Sequence, residues 1–460
     1  MAKKVFVSLV LILMVGRAFA QSNFTLYNLN NTPQSQYENP AFRSSARFGI
    51  AFPPFSGLSK FHILNSGFAI EDVLQTRSES DSLNLTIGNA LAKMGDINYF
   101  DIDIRNEVFA FNYTGRKTSI SVTANHVFNS SFAYPKALLE LGYYGNGSPE
   151  TIGQRQSFDQ IGYNLTSYLE FGLGFNQKIG KKLVVGGRFK YLIGLANIQT
   201  EYSHFGLLTD EKTFDLTVDA EASINTSNSL AFFNSGQEFE LDINELFSAF
   251  SGISNNGAAI DLGFTYDISK KIHLSGSLID LGSIRWRNRV TNYTISPFEF
   301  EYKGIDLMQY LDDSVQVFNE IIDSLEQLSS IIETNSSYSS SLYTRFYIAG
   351  SYDVLDKLNL GVTWYNSFRT KRYRTGLNLS ANLKLRHWIA ATANYSFYNY
   401  GNSNLGLGLN LRLGTIQLYG MTNSFLALLK PEATRRLDFN FGMSFQIGKT
   451  PEYKKSAEDE

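Results

Sequence analysis

The five histidines are the residues best able to bind a metal ion or transfer protons, and their spacing supports neither role. They are scattered along the chain, at His62, His126, His204, His273 and His387. None forms the His-x-x-x-His or His-Glu-x-x-His pattern that sets two imidazoles on one helix face. The chain has no cysteine, so thiolate metal sites and disulfides are excluded. We therefore expect no metal site and no cofactor.

Motifs for nucleophilic or phosphate chemistry are also missing. The sequence contains neither Gly-x-Ser-x-Gly nor a phosphate loop ending in Gly-Lys-Ser/Thr. Gly406 and Gly408 form a Gly-x-Gly run, but it lies inside an alternating segment and precedes no helix. This run indicates packing or lumen space rather than nucleotide binding. We expect a protein that is not an enzyme; a catalytic site assembled from residues distant in sequence is the alternative.

Polar side chains within alternating segments are the better functional candidates. Apolar residues occupy every second position there, so the polar residues between them share the opposite face. A basic side chain facing lipid at mid-membrane costs roughly 2–4 kcal/mol. These side chains are therefore predicted to face the lumen of a barrel, where they line a pathway or form a polar network that closes it. The candidates are Arg188, Lys190, Arg374, Asn378, Asn410, Arg412, Asp438 and Asn440.

The segments that carry these residues have the length and periodicity of membrane-spanning β-strands. From Leu437 to Ile447 the odd-numbered residues are apolar, and the same alternation runs from Leu405 to Leu413 and from Tyr373 to Leu385. These runs hold about 9 to 13 residues, whereas a tilted barrel strand needs about 9–11 and ordinary strands peak near 5–6. A soluble β-sandwich also alternates, and it remains the alternative.

The connections between the segments alternate between tight basic turns and long irregular loops, as in outer-membrane barrels, whose short turns are periplasmic. The long loops are predicted near 54–106, 129–157, 200–257 and 288–341. Segments 213–222 and 294–302 also alternate and are predicted to extend the barrel as loop hairpins. The count is about 14 strands, with an antiparallel all-β barrel as the fold. The predicted strands are 46–53, 107–115, 117–128, 158–178, 183–199, 258–268, 272–287, 342–354, 358–369, 372–384, 387–399, 403–413, 415–422 and 435–447.

The loops are predicted to be partly helical. Between 305 and 332, apolar residues recur at three- and four-residue spacing, which is typical of an amphipathic helix. Three loop pieces, at 68–74, 241–247 and 303–308, share an extended stretch that runs into an acidic helix start.

The termini complete the predicted domain organisation. Residues 1–20 have a basic start, an apolar stretch and Ala18-Phe19-Ala20, which is typical of a cleaved signal peptide. We expect an N-terminal segment at 21–45, the barrel at 46–448 and a charged tail at 449–460. Without residues 1–20 the chain has 37 basic and 43 acidic residues, a net charge of −6, which argues against nucleic-acid binding.

Glu38-Asn39-Pro40-Ala41-Phe42, just before the first strand, resembles the long-chain fatty-acid transporter superfamily of outer-membrane barrels. The resemblance implies a 14-stranded barrel entered by an N-terminal hatch that carries Asn39, Pro40 and Ala41. The same superfamily includes the shuttle barrels of the type IX secretion system. Two pairs of stretches, 174–176 followed by 185–191 and 266–268 followed by 278–286, resemble a narrower group of uncharacterised barrels within it. We refer below to residues 21–45 as the hatch.

Three functions are compatible with these observations. The first is an outer-membrane barrel that transports hydrophobic small molecules, and it requires an apolar path through the lumen. The second is an accessory barrel of secretion, surface-assembly or gliding machinery, with the long loops as docking surfaces. The third is a soluble secreted, adhesin-like β-protein. The expected partners are outer-membrane lipid and lipopolysaccharide, together with a hydrophobic ligand or a protein of the secretion machinery.

Overall fold

The computed structural model describes residues 24–30, 32–52, 58–76, 83–228, 255–303, 330–369, 372–386, 388–398 and 404–450. The predicted signal peptide, the loop pieces at 241–247 and 304–308, the loop helix up to residue 329 and the tail beyond residue 450 lie outside these residues.

The described chain is built mainly from β-strands. In chain order they are β1 (Ala46–Ala51), β2 (Ser59–Asn65), β3 (Leu74–Thr76), β4 (Leu83–Leu85), β5 (Ile97–Thr114), β6 (Thr118–Pro135), β7 (Gln156–Ser157), β8 (Gly162–Ile179), β9 (Leu183–Thr209), β10 (Leu216–Ser227), β11 (Asn256–Asp267), β12 (Ile272–Trp286), β13 (Val290–Tyr302), β14 (Ile331–Thr334), β15 (Tyr338–Ser341), β16 (Thr344–Leu355), β17 (Leu358–Arg369), β18 (Arg372–Arg386), β19 (Ile389–Tyr398), β20 (Asn404–Leu413), β21 (Ile416–Thr422) and β22 (Arg436–Lys449).

Short helices occupy the hatch and the loops. They are α1 (Phe24–Asn28), α2 (Ile70–Val73), α3 (Ile87–Lys93), α4 (Lys136–Tyr144) and α5 (Phe425–Leu429), with 3-10 turns at Pro33–Tyr37 and Pro431–Ala433. No helix in the described ranges is long and apolar enough to cross a membrane.

Fourteen antiparallel strands close into a barrel, which confirms the predicted fold and strand count. The first wall strand has two pieces, β1 and β2, and each piece pairs with both β22 and β5. The other wall strands follow in chain order: β5, β6, β8, β9, β11, β12 and β16 to β22. Because the last strand pairs with the first, the wall has no open edge.

Alternation along each strand separates a lipid-facing surface from the lumen. In β22, Phe439 and Phe441 are 40% and 52% exposed on the outer face, whereas Asp438 and Asn440 are buried on the inner face. An apolar outer band with a polar interior is the pattern of a transmembrane barrel and not of a sandwich core.

Gly180 and Gly414, with φ of 63° and 64°, allow two of the tight turns. We call the end of the barrel with these turns the short-turn rim and the opposite end the loop rim.

Above the loop rim the sheet continues into the loops. The upper half of β9 pairs with β10, and β10 pairs in turn with β13. The two alternating loop segments predicted as hairpins are therefore confirmed as strands, although the strands are longer than expected. The acidic helix start predicted near residue 70 is also present, as α2 with Glu71 and Asp72 in its first turn.

Several predicted loops were wrong in their bounds. The loop predicted at 54–106 contains β2 and the first half of β5, which both belong to the wall. The loops predicted at 129–157 and 200–257 begin with the upper parts of β6 and β9. Ile331 and Ile332, placed at the end of a helix, form strand β14. In the three loops, polar stretches were taken for loop, although polar residues are expected on the lumen-facing side of a strand.

Candidate functional site

The hatch lies inside the barrel. Phe24 and Leu26 of α1 are completely buried, and Pro33 to Tyr37 are buried as well. Phe42 and Ala41 are 5% and 1% exposed. Proline cannot donate a ladder hydrogen bond, which suits Pro33 and Pro40 to a plug rather than to a strand of the wall. The first strand of the wall begins only at Ala46.

The Asn39-Pro40-Ala41 motif joins the hatch to the wall near the short-turn rim. The Asn39 side-chain amide donates to the carbonyls of Phe264 and Gly276, at 3.3 and 3.2 Å. Its amide oxygen accepts from the Ala41 backbone at 2.9 Å. The carbonyl of Pro40 accepts from Asn176 at 3.2 Å. These bonds fasten the motif to three different wall strands.

Tyr37 and Glu38 fasten the hatch to the middle of the lumen. The Tyr37 hydroxyl contacts the Glu107 carboxylate and Asn125, and the Arg188 guanidinium lies 4.6 Å from the centre of its ring. Glu38 accepts hydrogen bonds from Arg345 at 2.7 Å and from Tyr347 at 2.6 Å.

Through Arg345, Glu38 is connected to a network of buried or nearly buried charged side chains. We call them the central charge cluster: Arg105, Glu170, Lys190, Asp261, Asp280 and Arg345. Lys190 lies 2.8 Å from Asp261 and 2.5 Å from Asp280, and Arg345 lies 2.8 Å from Asp280. Because removing one member of a buried ion pair leaves its partner uncompensated, the cluster holds its strands in a single arrangement.

A second group of charges lies nearer the loop rim. We call it the upper charge cluster: Asp101, Asp103, Arg369, Arg372 and Arg374. Asp101 is fully buried and contacts both Arg372, at 3.0 Å, and Arg374. Arg369 pairs with Asp103 and lies 3.5 Å from Asp101.

Most of the side chains predicted to face the lumen are buried within it. Six of them are at most 3% exposed: Arg188, Lys190, Arg374, Asn378, Asp438 and Asn440. Asn378 donates to Asn394 at 2.9 Å and to Ser396 at 2.8 Å, and Asp438 accepts from Asn423 and Ser424. The structure therefore brings Lys190 and Arg374 into charge clusters and places Asn378 and Asp438 in amide and hydroxyl networks.

The other two predicted lumen residues, Asn410 and Arg412, are less buried than these six. Asn410 is half-buried and accepts a hydrogen bond from Gln417 at 2.8 Å. Arg412 lies at the short-turn rim, where its guanidinium donates to the carbonyl of Gly448 at 2.9 Å. It lies near the end of β20, where the inner face of a strand meets the rim.

The most densely bonded residues were not predicted. Glu38, Asp101, Asp280 and Arg345 were missed, although Asp101 and Arg345 lie on the inner faces of alternating strands. Asp280 interrupts an apolar run at a positive φ of 61°, beside a register shift in β11 and β12. For Asp101, Asp280 and Arg345 the available signal is a charged residue within a strand segment of the sequence.

A small cavity remains above the hatch. It is lined by both hatch and wall residues, including Tyr37, Glu38, Lys60, His62, Arg345 and Tyr365. Its volume is about 100 Å³, well below the roughly 300–1,000 Å³ of a typical small-molecule site. In this arrangement the buried side chains of the hatch and of the charge clusters occupy the lumen around this cavity.

An aromatic column, composed of Phe24, Tyr27, Phe42, Tyr347, Tyr365 and Tyr398, runs along the hatch. Ring centres lie 4.8 Å apart for Tyr365 and Tyr347, 4.9 Å for Tyr347 and Tyr27, and 5.0 Å for Tyr27 and Phe42. Tyr365 lines the cavity. Arg43, which follows Phe42, donates to the Lys117 carbonyl in a tight turn at 3.1 Å. The column therefore extends from the cavity toward the short-turn rim.

Within the described part of the chain, no group of three or more His, Asp or Glu side chains is arranged so that it could hold a metal ion. His273 lies between Asp267 and Asp353, at 2.7 and 3.0 Å, on the short-turn rim.

Comparison with known proteins gives matches of two kinds. Among solved structures, the chain is similar to a deltaS2S3 mutant of the monoaromatic hydrocarbon channel TodX, with a TM-score of 0.43, 7% identity and coverage of 94% of this chain and 97% of that one. It is similar to the Pseudomonas putida toluene transporter TodX, with a TM-score of 0.39, 8% identity and coverage of 93% and 94%. A Pseudomonas aeruginosa FadL homologue has a TM-score of 0.40, 9% identity and coverage of 90% and 94%.

No curated protein matches the sequence. A protein-family model matches residues 40–423, from the Pro40 of the hatch to the upper end of the thirteenth wall strand. The chain belongs to the family that this model describes, the Family of unknown function (DUF5723).

Proposed function

We propose that the protein is an outer-membrane barrel that transports small hydrophobic molecules, with the hatch as its gate. The observation that carries this proposal is the aromatic column, which connects the cavity above the hatch with the short-turn rim. Aromatic side chains offer large apolar surfaces to a passing ligand. A column of them is the kind of apolar path that a hydrophobic solute requires.

The hatch and the wall share the column. Phe24, Tyr27 and Phe42 come from the hatch, whereas Tyr347, Tyr365 and Tyr398 come from β16, β17 and β19. When the hatch moves aside, the three wall tyrosines remain and line the opened space. A hydrophobic molecule that enters from the loop rim then exchanges contacts with the hatch rings for contacts with the wall rings.

The hatch is attached in a way that permits this movement. Of its described residues, none belongs to a wall strand, so displacing it breaks no strand pairing. Its polar contacts with the wall are mainly side-chain hydrogen bonds and ion pairs, such as those of Asn39 and Glu38, and they add to the packing of its aromatic rings on the wall. Each hydrogen bond contributes a net of about 0.5–1.5 kcal/mol, and more when a charge takes part. Their sum can hold the gate closed and still be overcome by ligand binding.

Transport is tested with liposomes that contain the purified barrel. Deletion of residues 21–41 should leave the barrel folded and raise the uptake of toluene, an apolar probe. In that deleted background, Tyr347→Ser with Tyr365→Ser should lower toluene uptake more than the uptake of glycerol. Tyr395→Ser is the matched control, since Tyr395 is 44% exposed on the outer face. Equal losses for both solutes would contradict an apolar path.

A second function, docking in an envelope assembly, is favoured by an apolar groove in the loops. The groove lies between α2, α3 and α4, and its lining includes Ile70, Leu74 and Leu138, which are 58%, 40% and 38% exposed. Exposed apolar patches of this kind mark interaction surfaces. A photoreactive residue at position 138 should crosslink to one protein of defined mass in intact cells, and one at the exposed position Glu333 should not. Absence of a specific adduct would remove this candidate.

A further inference from the structure

A separate pocket lies at the loop rim, above the cavity that the hatch closes. Its lining includes Tyr99, Asn164, Tyr202, Tyr343, Arg369 and Arg372, and its volume is about 160 Å³. We call it the mouth pocket. Tyr343 and Arg369 also line the lower cavity, so they form the partition between the two spaces. A solute that enters the lumen from the loop rim meets the mouth pocket first.

Two arginines that line the mouth pocket carry hydrogen-bond donors for which no described residue supplies an acceptor. The Arg372 side chain is 3% exposed, and its Nη2 donates to Asp101 at 3.0 Å. Its Nη1 makes no hydrogen bond to any described residue. Nη1 of Arg369 likewise makes no hydrogen bond within the described part of the chain, although it lies 3.5 Å from the Asp101 carboxylate. A buried charged donor without an acceptor is costly, so each such group calls for an explanation.

Tyrosine rings hold both guanidinium groups in place. Arg372 lies 3.9 Å from the centre of the Tyr99 ring, and Arg369 lies 4.0 Å from the centre of the Tyr343 ring. Stacking of this kind favours a fixed guanidinium plane. The donors of the two arginines are therefore preorganised before any ligand binds.

The upper charge cluster, which contributes Arg369 and Arg372 to the pocket lining, carries more positive than negative charge. The upper charge cluster contains three arginines and two aspartates, Asp101 and Asp103. At the edge of the pocket, His204 faces Asp159 at 3.7 Å. Because Asp101 is shared among three arginines, it cannot satisfy the donors of all of them.

We propose that the mouth pocket binds a small oxyanion, a phosphate or a carboxylate, between Arg369 and Arg372. Planar guanidinium groups bind such anions through paired, charge-assisted hydrogen bonds. The volume of the pocket suits one such group and is too small for a drug-sized ligand. This site is distinct from the hatch and the aromatic column, and its occupancy does not depend on whether the barrel transports hydrophobic molecules.

The proposal is tested by calorimetric titration of the full-length barrel in detergent, in chloride-free buffer, with inorganic phosphate and with acetate. The protein should bind one anion per barrel, and Arg372→Gln should weaken binding about tenfold or more because a charge-assisted bond is lost. Arg412→Gln removes a positive charge at the opposite rim and should leave the affinity unchanged. Binding of acetate in place of phosphate would assign the site to carboxylates.

A variant with the opposite effect separates binding from general damage. Asp103→Asn removes the carboxylate that competes for Arg369, so anion affinity should rise about tenfold. Folding of each variant is checked by the shift in gel mobility between heated and unheated samples. The proposal is overturned if the wild-type barrel binds neither anion, or if folded Arg372→Gln binds as tightly as the wild type.

Discussion

Glu38 of the hatch and Arg345 of the eighth wall strand form an ion pair with an N–O distance of 2.7 Å inside the lumen. Their side chains are 4% and 14% exposed, and Arg345 also bonds to Asp280 at 2.8 Å. The pair therefore links the hatch to the central charge cluster and, through it, to strands on both sides of the lumen. A continuous series of ion pairs thus connects the hatch with the wall of the barrel.

Glu38→Gln tests this link. The change removes the negative charge opposite Arg345, and loss of one member of a buried pair destabilises a protein by about 3–5 kcal/mol. Since Arg345 keeps Asp280 as a partner, we expect the barrel to stay folded and the hatch to be displaced more often. Single barrels in planar bilayers should then show more frequent open events. Glu140→Gln on α4, which removes a half-buried pair with Lys136 in the loops, is the control, and equal opening rates in both variants would contradict the link.

The fold could be predicted from the sequence because alternation and tight turns are local signals. Alternation also sets which face a residue occupies, as for Lys190 and Asn440. The partners could not be predicted, because Glu38 and Arg345 are 307 residues apart in sequence and meet only through barrel closure and strand register. Alternation does not show how far along the barrel axis a residue lies. Arg412 is at an inner-facing position of β20, as predicted, but near the end of the strand at the rim.

Phe441→Arg tests the lipid-facing surface. Phe441 is 52% exposed on the outer face of β22, next to the buried Asn440. An arginine there places a cation against lipid, which costs roughly 2–4 kcal/mol near mid-membrane. We expect the yield of folded protein in outer-membrane fractions to fall markedly, with Phe441→Leu close to wild type. A full yield of Phe441→Arg would mean that this face does not contact lipid.

The pair formed by Asp219 and Arg155 gives a pH-dependent prediction above the barrel. A hydrogen bond from Arg155, at 2.8 Å, holds the pKa of Asp219 below its ordinary value. A carboxyl whose pKa is lowered by folding stabilises the fold above its unfolded pKa of about 3.9, and this contribution is lost as the pH falls through the folded pKa. In Arg155→Gln the carboxyl-carbon NMR titration of Asp219 should move to higher pH. Lys212→Gln should leave it in place, and identical midpoints in all three proteins would exclude this pair as the cause.

Gly186→Ala tests the seat of the Asn39-Pro40-Ala41 motif. A Cβ at this position would overlap the backbone of Pro40 and lie 2.7 Å from the Ala41 nitrogen. Backbone atoms cannot rotate away as a flexible side chain can, so the hatch must shift while the wall keeps its strand pairing. We expect higher permeability to small solutes in liposomes and faster proteolysis of residues 21–45, at an unchanged yield of folded barrel. Gly350→Ala is the matched control, because a Cβ there meets no atom within 4 Å. If both variants keep wild-type permeability and protection, the motif does not press against this part of the wall.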